Sequence, residues 1–303
     1  MKTTARTGVE LSAGGGSTST ALIRPLETQR MSAGGMQQAG AMGRLLTPRR
    51  PISPRLSTTI SLTVAAGLLV GWSIATYGGF TDTTFFPPPH EVLNSFFRTL
   101  TDGTLAKHTW SSLVVINIGF IISSLLAVPL GVLMGSFKVV QAAIEPLVNF
   151  IRYLPVTSMI PLLILWVGIG INEKIAVIII GTFFQQIVMV ADTARQVPNE
   201  LLSAAYTLGA TRSQVVTRVL LPATLPGIMD TLRVTMGWAW TYLVVAELVG
   251  SSSGLGYMSM QAMRGLHADL IFVAILVIGI LGMIMDLMFR WLKRQFMPWA
   301  DQR

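Results

Sequence analysis

The sequence has no cysteine and only three histidines, and charged residues make up only 12% of its 303 positions. The absence of cysteine excludes disulfides, thiolate zinc sites and cysteine nucleophiles. His90, His108 and His267 lie far apart, and there is no glycine-rich phosphate loop, nucleophile elbow or HExxH pattern. We therefore expect no metal site, no enzyme active site and no cofactor bound by this chain.

Charge is also too scarce to cover the surface of a soluble protein of this length, whereas 51% of the residues are hydrophobic. The apolar residues form long blocks, and a membrane span needs about 20 of them. Six blocks are long enough, which predicts an all-α membrane protein with six transmembrane helices. The blocks lie at about 58–78, 109–135, 140–168, 174–192, 227–248 and 269–291, and Pro155 and Pro161 interrupt the third.

The first 57 residues differ from the rest, because they are rich in Gly, Ser, Thr, Pro and Arg and show no apolar period. This composition predicts a disordered basic N-terminal tail over 1–57, followed by one six-span domain over 58–300. The tail also lacks the uninterrupted apolar core of a cleaved signal peptide.

Basic residues predict the orientation of the spans, because cytoplasmic loops are enriched in Lys and Arg. With the N-terminus inside, sixteen of the 22 basic residues are cytoplasmic and four are outside, while Arg152 and Arg233 fall within spans. Both termini are therefore predicted to be cytoplasmic in a multi-pass membrane protein surrounded by lipid. The same asymmetry explains the net charge of +8 without nucleic acid as a partner.

The longest predicted cytoplasmic loop, 196–226, contains the run SAAYTLGATRSQVVTRVLLP. Three interpretations are open: a DNA-binding helix-turn-helix, an ordinary loop packed on its own spans, and a docking element for a soluble partner. A DNA reader needs a globular domain around it, whereas both ends of this loop enter the bilayer within a few residues. Docking is favoured, since an amphipathic helix laid into a partner's groove is a common recognition mode.

Capping signals in this loop predict two short helices that meet at an angle. Asn199 is the expected N-cap of the first helix, and Gly209 suits a left-handed C-terminal cap. Thr211 and Gln214 have the spacing of a capping box at the start of the second helix. The prolines at positions 222 and 226 predict that the second helix stops before the next span.

The same loop resembles the EAA-x3-G-x9-I-x-LP pattern of the membrane subunits of bacterial ABC importers. The spacing is kept throughout, with Ser203 in place of the usual Glu and Val219 in place of Ile. Glu200, one turn earlier, is a candidate replacement for the missing carboxylate. The resemblance implies a coupling loop that docks on the ATPase subunit through Glu200, Ser203, Ala204, Ala205, Gly209, Val219, Leu221 and Pro222.

Three further runs, PPPHEVLNSF, IRYLPVTSMIPLLILWVGIG and AWTYLVVAELVGSSSGLGYM, resemble the nitrate, sulfonate and taurine branch of these importers, which also carries bicarbonate. The resemblance implies the ABC importer permease fold in a bacterial plasma (inner) membrane. It also implies three kinds of partner: a second permease subunit, more often identical; ATPase subunits that use ATP and Mg; and a periplasmic or lipid-anchored solute-binding protein.

The implied role is import of a small oxyanion by a chain that is not itself an enzyme. A neutral or zwitterionic cargo, such as a pyrimidine precursor of thiamine, remains open within the same importer class. More remotely, a secondary transporter driven by an ion gradient also remains open, although such a transporter needs no docking loop.

Arg152 is the leading candidate for a transport pathway, because it lies about twelve residues into the third block, near mid-bilayer. A charge there costs about 3 kcal/mol or more unless it faces protein or water, and a guanidinium suits a planar oxyanion. Pro155 beside it frees backbone carbonyls. Alternatively, Arg152 pairs with Glu247, Asp192 or Glu145. The other candidates, which line a pathway or merely join spans, are Asn117, Gln185, Gln186, Trp238, Thr241 and Glu247.

Two segments are predicted on the outer side. Within 79–107, a helix is expected to lie along the membrane surface with one apolar face, formed by Val92, Leu93, Phe96, Phe97 and Leu100. The run GSSSGLGYM at 250–258 is interpreted as a flexible loop that meets a binding protein, or else as a plain turn.

Overall fold

The computed structural model of the chain describes residues 53–302, and every regular element in that range is a helix. The predicted N-terminal tail falls almost wholly outside the described residues. The α-helices are α1 Pro54–Tyr77, α2 Pro89–Thr101, α3 Thr104–Ser136, α4 Lys138–Ile151, α5 Ile160–Val167, α6 Ile171–Arg195, α7 Asn199–Thr207, α8 Arg212–Gln214, α9 Leu221–Gly250, α10 Leu255–Arg264 and α11 Ala268–Phe296.

Short helices of other types join some of these elements. A 3-10 turn, Val156–Met159, precedes α5, another, Pro298–Gln302, follows α11, and a π-helical turn, Val215–Leu220, links α8 to α9. The described residues up to Ala66 and those from Gly67 onward belong to separate units. All packing described below lies within the second unit.

Five helices among residues 53–302 are long and apolar enough to cross a membrane: α1, α3, α6, the continuous run Arg212–Gly250, and α11. The third predicted block meets this test only as a pair, in which α4 and Val156–Val167 are bent by 77°. The predicted interruption at Pro155 is confirmed, because the residue before a proline disfavours helix and proline cannot continue one. Pro161 does not interrupt, since it occupies the first turn of α5.

The predicted helix stop at Pro222 and Pro226 is wrong. After α8 the chain passes through the π-helical turn directly into α9, where Leu221 N–H donates to the carbonyl of Val216, five residues back. This widened turn accommodates Pro222, which follows immediately in the first turn of α9, while Pro226 lies inside the helix. From Arg212 onward, the end of the loop and the following span therefore form one continuous helical run.

Close helix packing builds the centre of the bundle from α3, α6 and α9. A Cβ atom at Gly119 would lie 2.9 Å from Ile178 Cβ, and one at Gly131 would lie 2.7 Å from Val190 Cβ, so α3 and α6 touch through small residues. Gln186 is fully buried at the junction of the three helices, and its hydrogen-bond partners are Ser123, Ser124 and Thr235. Gln186 therefore joins spans.

The predicted outer helix is present as α2, but its apolar residues do not share one face. Val92 and Phe96 pack into the core, and the hydroxyl of Ser95 between them donates to Asp269 of α11. The other three predicted residues are exposed: Leu93, Phe97 and Leu100. The helix is thus fixed to the bundle by one stripe and presents a second apolar stripe outward.

Candidate functional site

The 196–226 loop contains the first predicted short helix as α7, whereas the second predicted helix begins at α8 and continues into the next span. Helix α7 ends at a left-handed glycine, Gly209, with φ +84°. The N–H of Gly209 donates to the carbonyl of Tyr206 at 2.9 Å, and the N–H of Ala210 donates to the carbonyl of Ala205 at 3.0 Å. These two bonds satisfy carbonyls at the end of the helix and confirm the predicted C-terminal cap.

The caps at the helix starts agree with prediction in one case and not in the other. Thr211 N–H donates to Gln214 Oε1 at 2.8 Å, and Gln214 N–H donates to Thr211 Oγ1 at 3.4 Å, so the capping box is confirmed. The N-cap predicted at Asn199 is wrong, because Asn199 is already helical and Pro198 precedes it without a side-chain bond. Pro198 supplies an extended entry and its carbonyl accepts from Leu201 N–H.

Next to these caps the loop presents an apolar tip. Leu208, directly before Gly209, is 88% exposed, and Tyr206 is 50% exposed. The base is anchored by Val215 and Leu220, which are buried. Among the predicted coupling residues, Glu200, Ser203, Ala204 and Gly209 are exposed, whereas Ala205, Val219, Leu221 and Pro222 are half-buried. The arrangement is a capped scaffold with an exposed apolar tip.

Four of the predicted pathway residues meet at the break in the third block. Arg152 caps the end of α4 and lines a small cavity of about 50 Å³ with Gln185, Trp238 and Tyr242. The last three residues also line a neighbouring cavity of about 280 Å³, together with Thr241. We call these two cavities the Arg152 pocket. Pro155 lies at the same break and is exposed, three residues beyond the arginine.

Arg152 has no carboxylate partner among residues 53–302. Its Nη2 donates to the Tyr153 hydroxyl at 3.1 Å, and its Cζ lies 4.8 Å from the centre of the Tyr153 ring. The Nε–H is buried and has no hydrogen-bond partner there. Because a guanidinium carries five donors, most of its capacity to bind an oxyanion is unused.

The carboxylates considered as alternative partners are engaged elsewhere. Glu145 and Asp192 both bind Arg195, at 3.5 Å and 3.1 Å. Glu247 accepts from other groups at the far end of α9, described below. The alternative in which Arg152 joins spans through one of these acids is therefore wrong.

Asn117 and Glu247, two of the predicted pathway residues, lie away from the Arg152 pocket. Asn117 donates through Nδ2 to the carbonyl of Leu113 in its own helix, at 2.7 Å. Glu247 is only 1% exposed. Its Oε1 accepts from Ser112 Oγ at 2.7 Å, and its Oε2 accepts from Gly256 N–H at 2.8 Å. A negative charge at the start of α10 is also favourable for that helix.

The 250–256 loop is closed over Glu247 by further hydrogen bonds. Ser112 Oγ accepts from Leu255 N–H at 2.9 Å, and His108 Nδ1 accepts from Gly254 N–H at 3.1 Å. We call the group formed by Ser112, Glu247 and the N–H groups of Leu255 and Gly256 the buried clasp. The interpretation of 250–258 as a flexible loop is corrected, because α9 extends to Gly250, α10 begins at Leu255 and residues 254–256 are buried.

Sequence reasoning missed Lys174 in this region, because it was counted as an ordinary outer charge. Its side chain is in fact buried, with 2% exposure, and its Nζ donates to Ser251 Oγ at 2.7 Å and to the Ser253 carbonyl at 3.5 Å. The available signal was an acidic residue in an apolar span, Glu247, followed within ten positions by the run GSSSGLG. Such a pattern indicates backbone that must approach a carboxylate.

Comparison with known proteins identifies the family of the chain. Residues 127–297 match the family described as the inner membrane component of binding-protein-dependent transport systems. The taurine transport system permease protein of Escherichia coli strain K12 is 33% identical over 264 residues, covering 86% of this chain and 95% of that protein. A putative aliphatic sulfonates transport permease protein of Bacillus subtilis strain 168 is 31% identical, covering 84% and 92%.

Two further likenesses are more distant. The formylaminopyrimidine transport permease protein of Halalkalibacterium halodurans is 30% identical, covering 67% of this chain and 82% of that protein. The fold is shared with a crystal structure of the MetNI methionine ABC transporter in an inward-facing conformation, with a TM-score of 0.54 and 23% identity over 63% of this chain and 96% of that one. The chain therefore belongs to the binding-protein-dependent inner membrane component family and is the permease subunit of an ABC importer, in the branch that includes taurine and sulfonate permeases.

Proposed function

We propose that this permease conducts a small sulfonate-type oxyanion past the Arg152 pocket. The observation that carries the proposal is the guanidinium of Arg152, which lies at the break of a spanning segment without a carboxylate partner and with a buried, unsatisfied Nε–H. A guanidinium binds planar pairs of oxygens through parallel N–H donors, and a sulfonate presents such pairs. The relatives named for taurine and aliphatic sulfonates support the same cargo class.

The rest of the pocket suits brief contact with a small organic anion. Gln185 adds amide donors beside the arginine, and Trp238 and Tyr242 add aromatic surface for the carbon chain. A zwitterion such as taurine carries the same sulfonate, so both charge types fit this contact. A neutral pyrimidine is less well matched, since it would leave the guanidinium unpaired.

The 196–226 loop is proposed to couple this pathway to ATP hydrolysis. Its exposed tip at Leu208 and Tyr206 would occupy a groove of an ATPase subunit, which uses ATP and Mg. This assignment places the loop and both chain termini in the cytoplasm and the 250–256 loop on the outer side. A second copy of the permease and a solute-binding protein on the outer side complete the proposed importer.

Transport in proteoliposomes by the transporter assembled with its own partner subunits tests the pathway. Arg152→Gln is expected to lower taurine or alkanesulfonate uptake about tenfold or more, the loss typical of a hydrogen bond to a charged group. Arg152→Lys should restore uptake only in part, because a point charge does not reproduce the planar fork. Arg264→Gln is the matched control, because Arg264 is exposed and has no ion pair among the described residues.

Two outcomes would overturn the proposal. Full uptake by both Arg152 variants would show that the residue does not contact the cargo. Loss of the assembled complex in Arg152→Gln, with Arg264→Gln intact, would show a structural role instead.

A further inference from the structure

The 250–256 loop is attached to the bundle at two places that differ in strength. In the buried clasp, both oxygens of Glu247 accept short bonds, at 2.7 Å and 2.8 Å. The second attachment is the ammonium of Lys174, which donates to two neutral oxygens, Ser251 Oγ and the Ser253 carbonyl. One of these contacts is 3.5 Å long, at the outer limit of a hydrogen bond. The lysine attachment is therefore the more easily released of the two.

A second observation lies directly beside this lysine. Glu173 is 0% exposed, and neither of its carboxylate oxygens has a hydrogen-bond partner among the described residues. A Cβ atom at Gly250 would lie 3.9 Å from Glu173 Oε2 and 3.4 Å from Ile164 Cδ1, so the carboxyl group occupies an apolar niche at the start of the loop. A buried acceptor without a donor is unfavourable, and such groups in native proteins usually have a reason.

Lys174 directly follows Glu173 in α6. Successive helical side chains point about 100° apart, so an ion pair between them requires the flexible four-carbon stem of the lysine to change its rotamer. Each oxygen of Glu247 already accepts one bond from the clasp, whereas neither oxygen of Glu173 accepts a bond from any described residue. The ammonium thus has two alternative acceptor sets, the loop oxygens that it binds here and the Glu173 carboxylate that is unpaired here.

We propose that Lys174 exchanges partners between Ser251 and Ser253 in a loop-held state and Glu173 in a loop-released state. The pair Glu173–Lys174 is then a switch that sets how firmly the 250–256 loop is attached, while the buried clasp keeps the start of α10 in place. Helix α6 carries both this switch and Gln185 of the Arg152 pocket. A partner that contacts the loop and shifts α6 would therefore also shift Gln185. That last use of the switch rests on the proposed function, whereas the switch itself does not.

Hydrogen exchange of the backbone amides in the 250–256 loop tests the switch in the full-length permease, reconstituted in nanodiscs. Lys174→Met is expected to speed exchange in this loop about tenfold, the change expected for loss of a hydrogen bond to a charged group. Ser251→Ala should speed it in the same direction. Glu173→Gln should slow it, because the competing charged acceptor is gone and the lysine remains with the loop.

Matched controls are available for both kinds of change. Lys107→Met removes the same charge from an exposed site on α3, and Ser252→Ala removes the same hydroxyl from an exposed site in the loop. If Lys174→Met fails to fold, Glu173→Gln carries the test, because Ser251→Ala also removes the bonds that Ser251 Oγ makes with the backbone of Ser253.

The signs of the changes decide the outcome. Exchange that is equal in Lys174→Met and Lys107→Met, or in Ser251→Ala and Ser252→Ala, overturns the attachment. Faster or unchanged exchange in Glu173→Gln overturns the partner exchange. The readout requires no cargo, so a failure of the Arg152 pathway leaves this test unaffected.

Discussion

The loop before α9 and the loop after it both turn at a glycine, but different kinds of contact hold the two loops in place. Each contains a glycine with positive φ, Gly209 at +84° and Gly254 at +121°. Around Gly209 a Cβ atom would meet nothing within 4 Å, whereas at Gly254 it would lie 2.1 Å from Glu247 Oε1. The first glycine is required only by its backbone conformation, and the second also by a buried carboxylate.

The hydrogen bonds around the two glycines also differ, in how far apart along the chain the bonded residues lie. The 196–226 loop is closed by bonds between residues at most five positions apart, such as Ala210 to Ala205. The 250–256 loop is closed by bonds to residues far away in the chain, such as the one from Gly254 to His108, 146 positions apart. The first loop therefore keeps its own shape and leaves an apolar tip free, while the second depends on the bundle and joins its helices.

Substituting alanine for each glycine should give the largest difference in stability between the two loops. Gly254→Ala places a methyl group against Glu247 and strains the backbone, which we expect to cost about 3 kcal/mol or more and to prevent normal accumulation of the permease. Gly209→Ala meets no atom and should cost only about 1–2 kcal/mol. Thermal denaturation of the detergent-solubilised variants measures both. Similar losses at the two sites would contradict the contrast.

Removing one hydrogen-bonding side chain from each loop should have an intermediate effect on the free energy of unfolding. Glu247→Ala leaves Ser112 and the Gly256 N–H buried without their acceptor, so we expect a loss of about 3 kcal/mol. Thr211→Ala removes one helix cap and should cost about 1 kcal/mol. Glu247→Gln, which keeps one acceptor and the shape, should lie between them. The same unfolding measurement tests the order of these three losses. A larger loss in Thr211→Ala than in Glu247→Ala would contradict the prediction.

The smallest effect on stability is expected at the tip of the 196–226 loop. Leu208→Ser changes an exposed side chain and should alter stability by no more than about 0.5 kcal/mol. If the tip docks on an ATPase subunit, the same change should nevertheless reduce copurification of that subunit severely. Phe80→Ser is the control, since Phe80 is a similarly exposed apolar residue between α1 and α2. If Leu208→Ser assembles normally with the ATPase subunit, the tip is not part of the docking surface.

The outcomes of the sequence predictions follow this division between local and distant interactions. The capping box at Thr211 and the left-handed Gly209 were predictable, because each depends on residues a few positions apart. The helix stop at Pro222 was wrong, since a π-helical turn that no local signal announced accommodates the proline. The pairing of Arg152 with Glu145, Asp192 or Glu247 was wrong because these three acids bind other groups, which is decided by helix packing.

The sequence by itself determined the apolar blocks, the helical class, the break at Pro155 and the capped turn from Gly209 to Gln214, because periodicity, proline geometry and capping act over one or two turns. Only the tertiary structure decided which polar groups meet. It brought Ser112 to Leu255 across 143 positions and Lys174 to Ser251 across 77, and it left Arg152 and Glu173 without charged partners within residues 53–302. Those pairings depend on how α3, α6 and α9 pack, since burial makes each polar group find whichever partner the neighbouring helix presents.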